Sequence, residues 1–107
     1  MRTLLILSII AGCTGDDPCD ALCDAVVRVQ SGCLPETGWE GAGFDSAEDR
    51  RDRCQTWAWE VRILAHDAGA SDAVDPLCEA YTDELTPGSC EAYAGIDWNA
   101  LPWQSTP

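Results

Sequence analysis

Apolar residues recur at helical spacing in three stretches of this chain. The first stretch opens at Asp17, a residue typical of an N-cap, and Pro18 suits the first helical position. The apolar positions that follow are Leu22, Cys23, Val26 and Val27. Ser31 and Gly32 end the pattern, so we predict a first helix between these limits.

The second stretch opens at Ser46, with acidic residues in the turn that follows, as in a capping box. Its apolar stripe is Ala47, Cys54, Trp57, Ala58, Val61, Leu64 and Ala68. Gly69 closes the predicted second helix. Trp59 falls on the other side of this helix, so we expect a loop or the tail to cover it, or else an exposed side chain that binds a partner.

The third stretch repeats the opening of the first. Asp75 and Pro76 predict its N-cap and first helical position. Its apolar stripe is Leu77, Cys78, Tyr81 and Leu85. The Thr-Pro-Gly sequence at residues 86–88 then ends the predicted third helix.

The connecting segments carry the residues that break helices. Residues 33–44 hold four Gly or Pro residues and predict a loop. Residues 91–94 predict a short fourth helix, and the tail after it is irregular. Because no stretch alternates β-branched and polar residues with a period of two, we predict an all-α fold, a small disulfide-stapled three-helix bundle with an irregular C-terminal tail.

The first residues of the chain predict export. Arg2 precedes an apolar run over residues 4–11, which is too short to span a bilayer but long enough for a signal peptide. The run ends in the residues Ile10, Ala11, Gly12 and Cys13. This ending resembles the lipobox of bacterial lipoproteins, in which a branched apolar residue and two small residues precede the lipidated Cys.

The resemblance implies that residues 1–12 are removed and that Cys13 carries the acyl chains, palmitate among them, that anchor the protein in a membrane. Residues 14–18 would then form a tether of about 17 Å at most. Thr14 stands where inner-membrane members of that family carry Asp, which points to the bacterial outer membrane, on its periplasmic face or at the cell surface. The alternative is an ordinary secretory signal, cut near Gly12 or Cys13.

These patterns divide the chain into four segments. They are the signal peptide at residues 1–12, the lipidated Cys and tether at 13–18, the helical disulfide-rich domain at 19–94, and the Trp-containing tail at 95–107.

The cysteine count agrees with a lipidated Cys13. The chain has 7 Cys, an odd number, and acylation of Cys13 leaves an even set for disulfides in an oxidising compartment. That set is Cys19, Cys23, Cys33, Cys54, Cys78 and Cys90. The set lacks the repeated close spacing of zinc sites and the Cys-x-x-Cys of redox enzymes, so structural disulfides are the favoured interpretation.

Sequence alone leaves the connectivity open, but helix register favours one solution. Cys23 and Cys54 come level in an antiparallel pairing of the first two helices. Cys19 and Cys78 each follow an Asp-Pro start, so they pair if helices one and three run parallel on either side of helix two. The predicted bridges are therefore Cys19 with Cys78, Cys23 with Cys54, and Cys33 with Cys90.

Charge narrows the choice of partners. The chain carries 19 acidic and 6 basic side chains, all the latter Arg, for a net charge of −13. Loss of residues 1–12 removes Arg2 and no acid, which leaves a net charge of −14. This excess excludes nucleic acid as a partner and favours basic proteins or peptides. The hydrophobic fraction of 46% is nevertheless that of a chain that folds.

The candidate catalytic and metal-binding groups have plainer explanations. His66, the only imidazole, comes beside Asp67 near a helix end, where a solvated His is ordinary. The acidic cluster at the start of the second helix is Asp45, Glu48, Asp49 and Asp52. It lacks the spacing of an EF-hand loop, and neighbouring Arg residues can pair with it. We expect no cofactor, no metal and no catalytic residue.

The sequence therefore predicts a non-enzymatic, lipid-anchored cell-envelope protein with a structural or binding role. The candidate partner-binding residues are Trp59, Trp98 and Trp103, although the tail can also wrap the bundle and bury its own aromatic rings. One alternative is an inhibitor or immunity-type protein that binds a basic secreted enzyme or toxin. Another is a small secreted hydrolase that uses His66 or a pair of carboxylates. The sequence leaves the oligomeric state open.

Overall fold

The computed structural model describes residues 17–104, and these residues form helices, turns and no β-strand. The α-helices are α1 (Pro18–Ser31), α2 (Gly38–Gly41), α3 (Ala47–Asp67), α4 (Val74–Glu84) and α5 (Cys90–Ala94). Two 3-10 turns, Ser71–Ala73 and Pro102–Gln104, complete the described elements. The all-α prediction is confirmed. Within this part of the chain, no helix is both long enough and apolar enough to cross a membrane.

Side-chain caps begin α1 and α3 where the sequence predicts them. Asp17 Oδ1 accepts a hydrogen bond of 2.9 Å from the Cys19 N–H, with Pro18 at the first helical position. Ser46 Oγ accepts one of 3.1 Å from the Asp49 N–H. These bonds satisfy N–H groups that a helix start leaves without backbone partners.

The predicted start of the third helix is wrong. The 3-10 turn Ser71–Ala73 runs directly into α4, which begins at Val74 without a side-chain cap. Asp75 therefore lies inside the first turn, and its carboxylate accepts a hydrogen bond from Arg62 instead of a backbone N–H. Pro76 is tolerated there because N–H groups in the first turn have no intrahelical acceptor.

The predicted loop at residues 33–44 contains the single-turn helix α2. Gly38 begins it with a φ of +71°, a conformation that favours glycine. Trp39 and Phe44 stabilise the segment, since their rings meet edge to face at 6.2 Å and the Phe44 N–H donates to the Trp39 carbonyl.

Helix α1 lies between α3 and α4 and packs against both, whereas α3 and α4 contact each other only sparsely. Helix α3 runs antiparallel to α1, because Asp17 contacts Arg62 near one end and Gln30 contacts Arg50 near the other. The predicted arrangement with the second helix in the centre is wrong. A direct disulfide between α1 and α4 requires those two helices to be neighbours.

Three disulfides hold this arrangement together, and they are the predicted pairs: Cys19–Cys78, Cys23–Cys54 and Cys33–Cys90. The first two are buried in the core, where they join α1 to α4 and to α3. The third joins the segment after α1 to α5, with Cys33 half-buried and Cys90 exposed.

The core stripe of α3 differs from the predicted one near its end. Cys54, Ala58, Val61 and Ala65 are buried. Leu64 and Ala68, both predicted for the core, are exposed. The buried positions alternate steps of four and three, so they stay aligned with α1, whereas Leu64 lies two turns after Trp57 along one flank of α3.

Candidate functional site

Helix α3 has two flanks, on either side of the stripe that packs against α1. One flank carries Arg50 and Trp57 and is covered by α5, α4 and the tail; we call it the covered flank. The other carries Trp59 and Arg62 and faces the start of α1; we call it the open flank. The candidate site lies on the open flank, because segments of the same chain already occupy the covered flank.

On the covered flank the C-terminal tail packs into the groove between α3 and α4. The Trp98 ring lies edge to face with Trp57 and with Tyr81, at 5.2 Å from each. The Trp57 indole N–H donates to the Trp98 carbonyl at 3.2 Å, and the Tyr81 hydroxyl donates to the Asp97 carbonyl at 2.7 Å. Burial raises the pKa of Tyr81, and the carboxylates of Asp97 and Glu84 raise it further.

Trp98 and Trp103, two of the three candidate partner-binding residues, are therefore half-buried against the core. The indole N–H of Trp103 is buried and has no hydrogen-bond partner within residues 17–104. A small cleft of about 160 Å³ remains between Arg50, Cys54, Trp57 and Trp98. The tail thus wraps the bundle and packs its aromatic rings, half-buried, against the core.

Arg50 completes the covered flank. Its guanidinium donates to the Gln30 side-chain oxygen at 2.6 Å and to the Tyr93 hydroxyl at 3.0 Å, and it stacks over Phe44 with 4.9 Å to the ring centroid. The residue is buried, and its two hydrogen bonds and the stacking on Phe44 offset part of the cost of removing a charge from water. Sequence reasoning missed this role, although position 50 comes four residues before the buried Cys54.

On the open flank, Trp59 has 64% of its surface exposed and Ile63, one turn further, has 45% exposed. We call these two residues the Trp59 patch. Beside it lies a cleft of about 170 Å³, lined by Asp17, Cys19, Asp20, Gln55, Ala58, Trp59 and Arg62. Of the three tryptophans expected to bind a partner, Trp59 is the one that stands free to do so.

Arg62 lines this cleft and holds two carboxylates. Its guanidinium donates to Asp17 at 3.1 Å and to Asp75 at 3.2 Å, so it links the starts of α1 and α4. Asp17, Cys19 and Asp75 lie close enough together to suggest a metal site. The Cys19 sulfur is bonded to Cys78, however, and Arg62 already binds both carboxylates. The arrangement is a salt-bridge network.

The remaining sequence candidates do not join this site. The His66 side chain is exposed at the end of α3, with its Nδ1 3.8 Å from the neighbouring Asp67 carboxylate. In the acidic cluster at the start of α3, Asp49 accepts from the Asp45 N–H and pairs with Arg53. These contacts are local ion pairs and caps.

Helix α4 carries acidic residues and no Lys or Arg. Beyond Arg62 the sequence contains 8 acidic residues and no Lys or Arg. Asp75, Glu79 and Asp83 follow one another at steps of four, so they form an exposed stripe along α4. Asp75 pairs with Arg62, whereas Glu79 and Asp83 make no salt bridge within the part of the chain that is described.

Cys13 and the sequence that resembles a lipobox lie outside the described residues. Comparisons of the chain with protein-family models, with curated proteins and with solved structures gave no match.

Proposed function

We propose that this protein is a lipid-anchored component of a bacterial cell envelope, with a non-enzymatic structural or binding role. The observation that carries the proposal is the cysteine arrangement. The three bridges use all six cysteines after residue 13, and two of the bridges lie in the core. Such a fold belongs in an oxidising compartment, and by count Cys13 is the cysteine left over.

An acylated Cys13 accounts for that leftover thiol. In an exported protein an unpaired, accessible thiol is open to oxidation and to exchange with other disulfides. The lipobox-like residues before Cys13 would direct its acylation, and acylation removes the free thiol. The same reaction would place the bundle on a membrane by a tether of a few residues.

Intact mass spectrometry of the protein extracted from host membranes tests this proposal. We expect a chain that begins at Cys13 and carries acyl chains, and that gains six hydrogens when its three disulfides are reduced. Cys13→Ser is the matched variant, and it should move the protein to the soluble fraction with all three bridges formed. An unacylated mass with a free seventh thiol would contradict the proposal.

A second candidate is an inhibitor or immunity-type protein that binds a basic enzyme or toxin. The stripe on α4 favours it, because the carboxylates of Glu79 and Asp83 have no cationic partner within residues 17–104 and attract a basic surface. The electrostatic attraction between the two proteins would act at long range and would weaken as salt is added.

A labelled arginine-rich peptide serves as the probe for this second candidate. The double variant Glu79→Gln/Asp83→Asn should weaken its binding more than the control Glu48→Gln/Asp52→Asn, which removes the same charge from α3. Raising the salt concentration from about 0.05 M to about 0.5 M should weaken binding sharply. Equal losses in the two variants, or binding indifferent to salt, would contradict a specific role for α4.

A further inference from the structure

The Trp59 patch lies at the place where the chain would leave its membrane anchor. Asp17 lines the same cleft as Trp59 and is four residues after Cys13. Four extended residues span about 14 Å at most. If Cys13 is acylated as proposed, the bilayer surface therefore lies within a short reach of the open flank of α3.

We infer that the Trp59 patch rests on the lipid surface to which Cys13 tethers the domain. This inference rests on the proposed lipid anchor and specifies how the domain is oriented above it. Trp59 is suited to the position because an indole has a broad apolar ring and one N–H donor, a combination that favours the boundary between headgroups and acyl chains. Ile63, one turn away, extends the apolar contact along the helix.

Two exposed side chains would hold a free protein at a membrane only weakly. The tether changes this, because it keeps the patch at a high effective concentration next to the lipid surface. The patch then has to orient a domain that is already bound. The acidic stripe of α4 lies on a different helix and stays available to a partner in solution.

Charges around the patch select the kind of lipid. Asp20, Glu60 and Asp67 are acidic residues near the patch, and the nearby Arg62 is already shared between two carboxylates. Anionic headgroups would therefore be repelled. Zwitterionic headgroups, whose ammonium groups can approach the carboxylates, are the lipid surface that this charge pattern fits.

Quenching of tryptophan fluorescence by lipid tests the inference. The acylated protein is reconstituted into zwitterionic phosphatidylcholine vesicles that contain a lipid spin-labelled in its headgroup region. The variants are Trp59→Phe and the matched control Trp39→Phe. Trp39 lies in α2, beyond the end of α1 that is remote from Asp17, and it packs against Phe44.

We expect the quenched part of the emission to fall on the order of two-fold in Trp59→Phe and to stay unchanged in Trp39→Phe, because an interfacial indole meets the label directly. Replacing part of the phosphatidylcholine with anionic phosphatidylglycerol should reduce the quenching, and added salt should restore it. A quenched fraction that is equal in both variants would overturn the inference. So would a dimer in detergent that Trp59→Phe/Ile63→Ser abolishes, since a second copy would then cover the patch.

The proposed lipid anchor and the proposed orientation of the Trp59 patch are tested by separate outcomes. If mass spectrometry finds Cys13 unacylated, its thiol can be coupled to a maleimide lipid in the same vesicles and the quenching repeated. Quenching of Trp59 would then support the orientation although the proposed natural anchor had failed. An acylated protein whose Trp59 is not quenched would keep the anchor and overturn the orientation. Mass and circular dichroism establish that each variant keeps three disulfides and its helices.

Discussion

The two flanks of α3 carry tryptophans only two residues apart, and these side chains have opposite environments. Trp57 packs against Tyr81 and Trp98 and donates its N–H to the tail, whereas Trp59 has 64% of its surface exposed. The covered flank is built from segments that come much later in the chain. The open flank faces the start of α1 and keeps its apolar surface uncovered. The comparison separates a tryptophan that stabilises the fold from one available for binding.

Removal of the Cys33–Cys90 bridge should have the largest effect on the covered flank. The bridge spans 57 residues and fastens α5 beside Arg50. We expect Cys33→Ala/Cys90→Ala to lower the free energy of unfolding by about 4 kcal/mol, because the unfolded chain regains loop entropy. Denaturant titration measures this, and acrylamide quenching should report greater access to Trp98. Unchanged stability would mean that packing alone holds α5 in place.

Truncation of one tryptophan on each flank tests the comparison directly. Trp98→Ala should cost about 2 kcal/mol, because the groove between α3 and α4 loses its filling ring and two aromatic contacts. Trp59→Ala should cost under about 0.5 kcal/mol, since an exposed side chain contributes little to folding. Thermal or denaturant unfolding of both variants gives the values. Similar losses would show that the open flank also supports the fold.

A further prediction on the covered flank concerns Tyr81 and pH. Burial first, and then the charges of Asp97 and Glu84, raise the pKa of Tyr81 in the folded protein above its ordinary value. The folded state therefore favours the neutral phenol. Its contribution is fully present below pH about 10, the unfolded pKa, and is lost as the pH rises through the folded pKa.

Tyr81→Phe should remove this alkaline loss of stability, and it should cost about 1 kcal/mol at neutral pH because the hydrogen bond to the Asp97 carbonyl disappears. Unfolding free energies measured at neutral pH and above pH about 10 compare the two proteins in both ranges. The same alkaline slope in both proteins would assign that loss of stability to another group.

Local signals in the sequence predicted several features directly. Asp17 and Ser46 marked the starts of α1 and α3, because a cap depends on a side chain and an N–H two or three residues away. The register of α1 against α3 also followed from local counting, which is why Cys23 could be paired with Cys54. Features that depend on a few neighbouring residues, or on the regular rise of a helix, can be predicted in this way.

Other features depended on which distant segments meet. Asp75 resembled an N-cap, but Arg62 of another helix binds its carboxylate. Arg50 occurs in a run of charged residues, yet Gln30 and Tyr93 bury it. Leu64 had the spacing of a core residue and is 41% exposed, because packing against α1 aligned the buried stripe through Ala65 instead.

The sequence by itself determined the helical character of the chain, the caps of α1 and α3, the register that pairs Cys23 with Cys54, and the net charge. The tertiary structure decided that α1 lies in the centre of the bundle and that the tail fills one groove of α3 and leaves the other flank open. The physical reason is that an amphipathic pattern defines an apolar face but not the segment that packs against it. Residues 95–104 cover Trp57 and leave Trp59 exposed. Their position is set by contacts with side chains that are distant in the sequence.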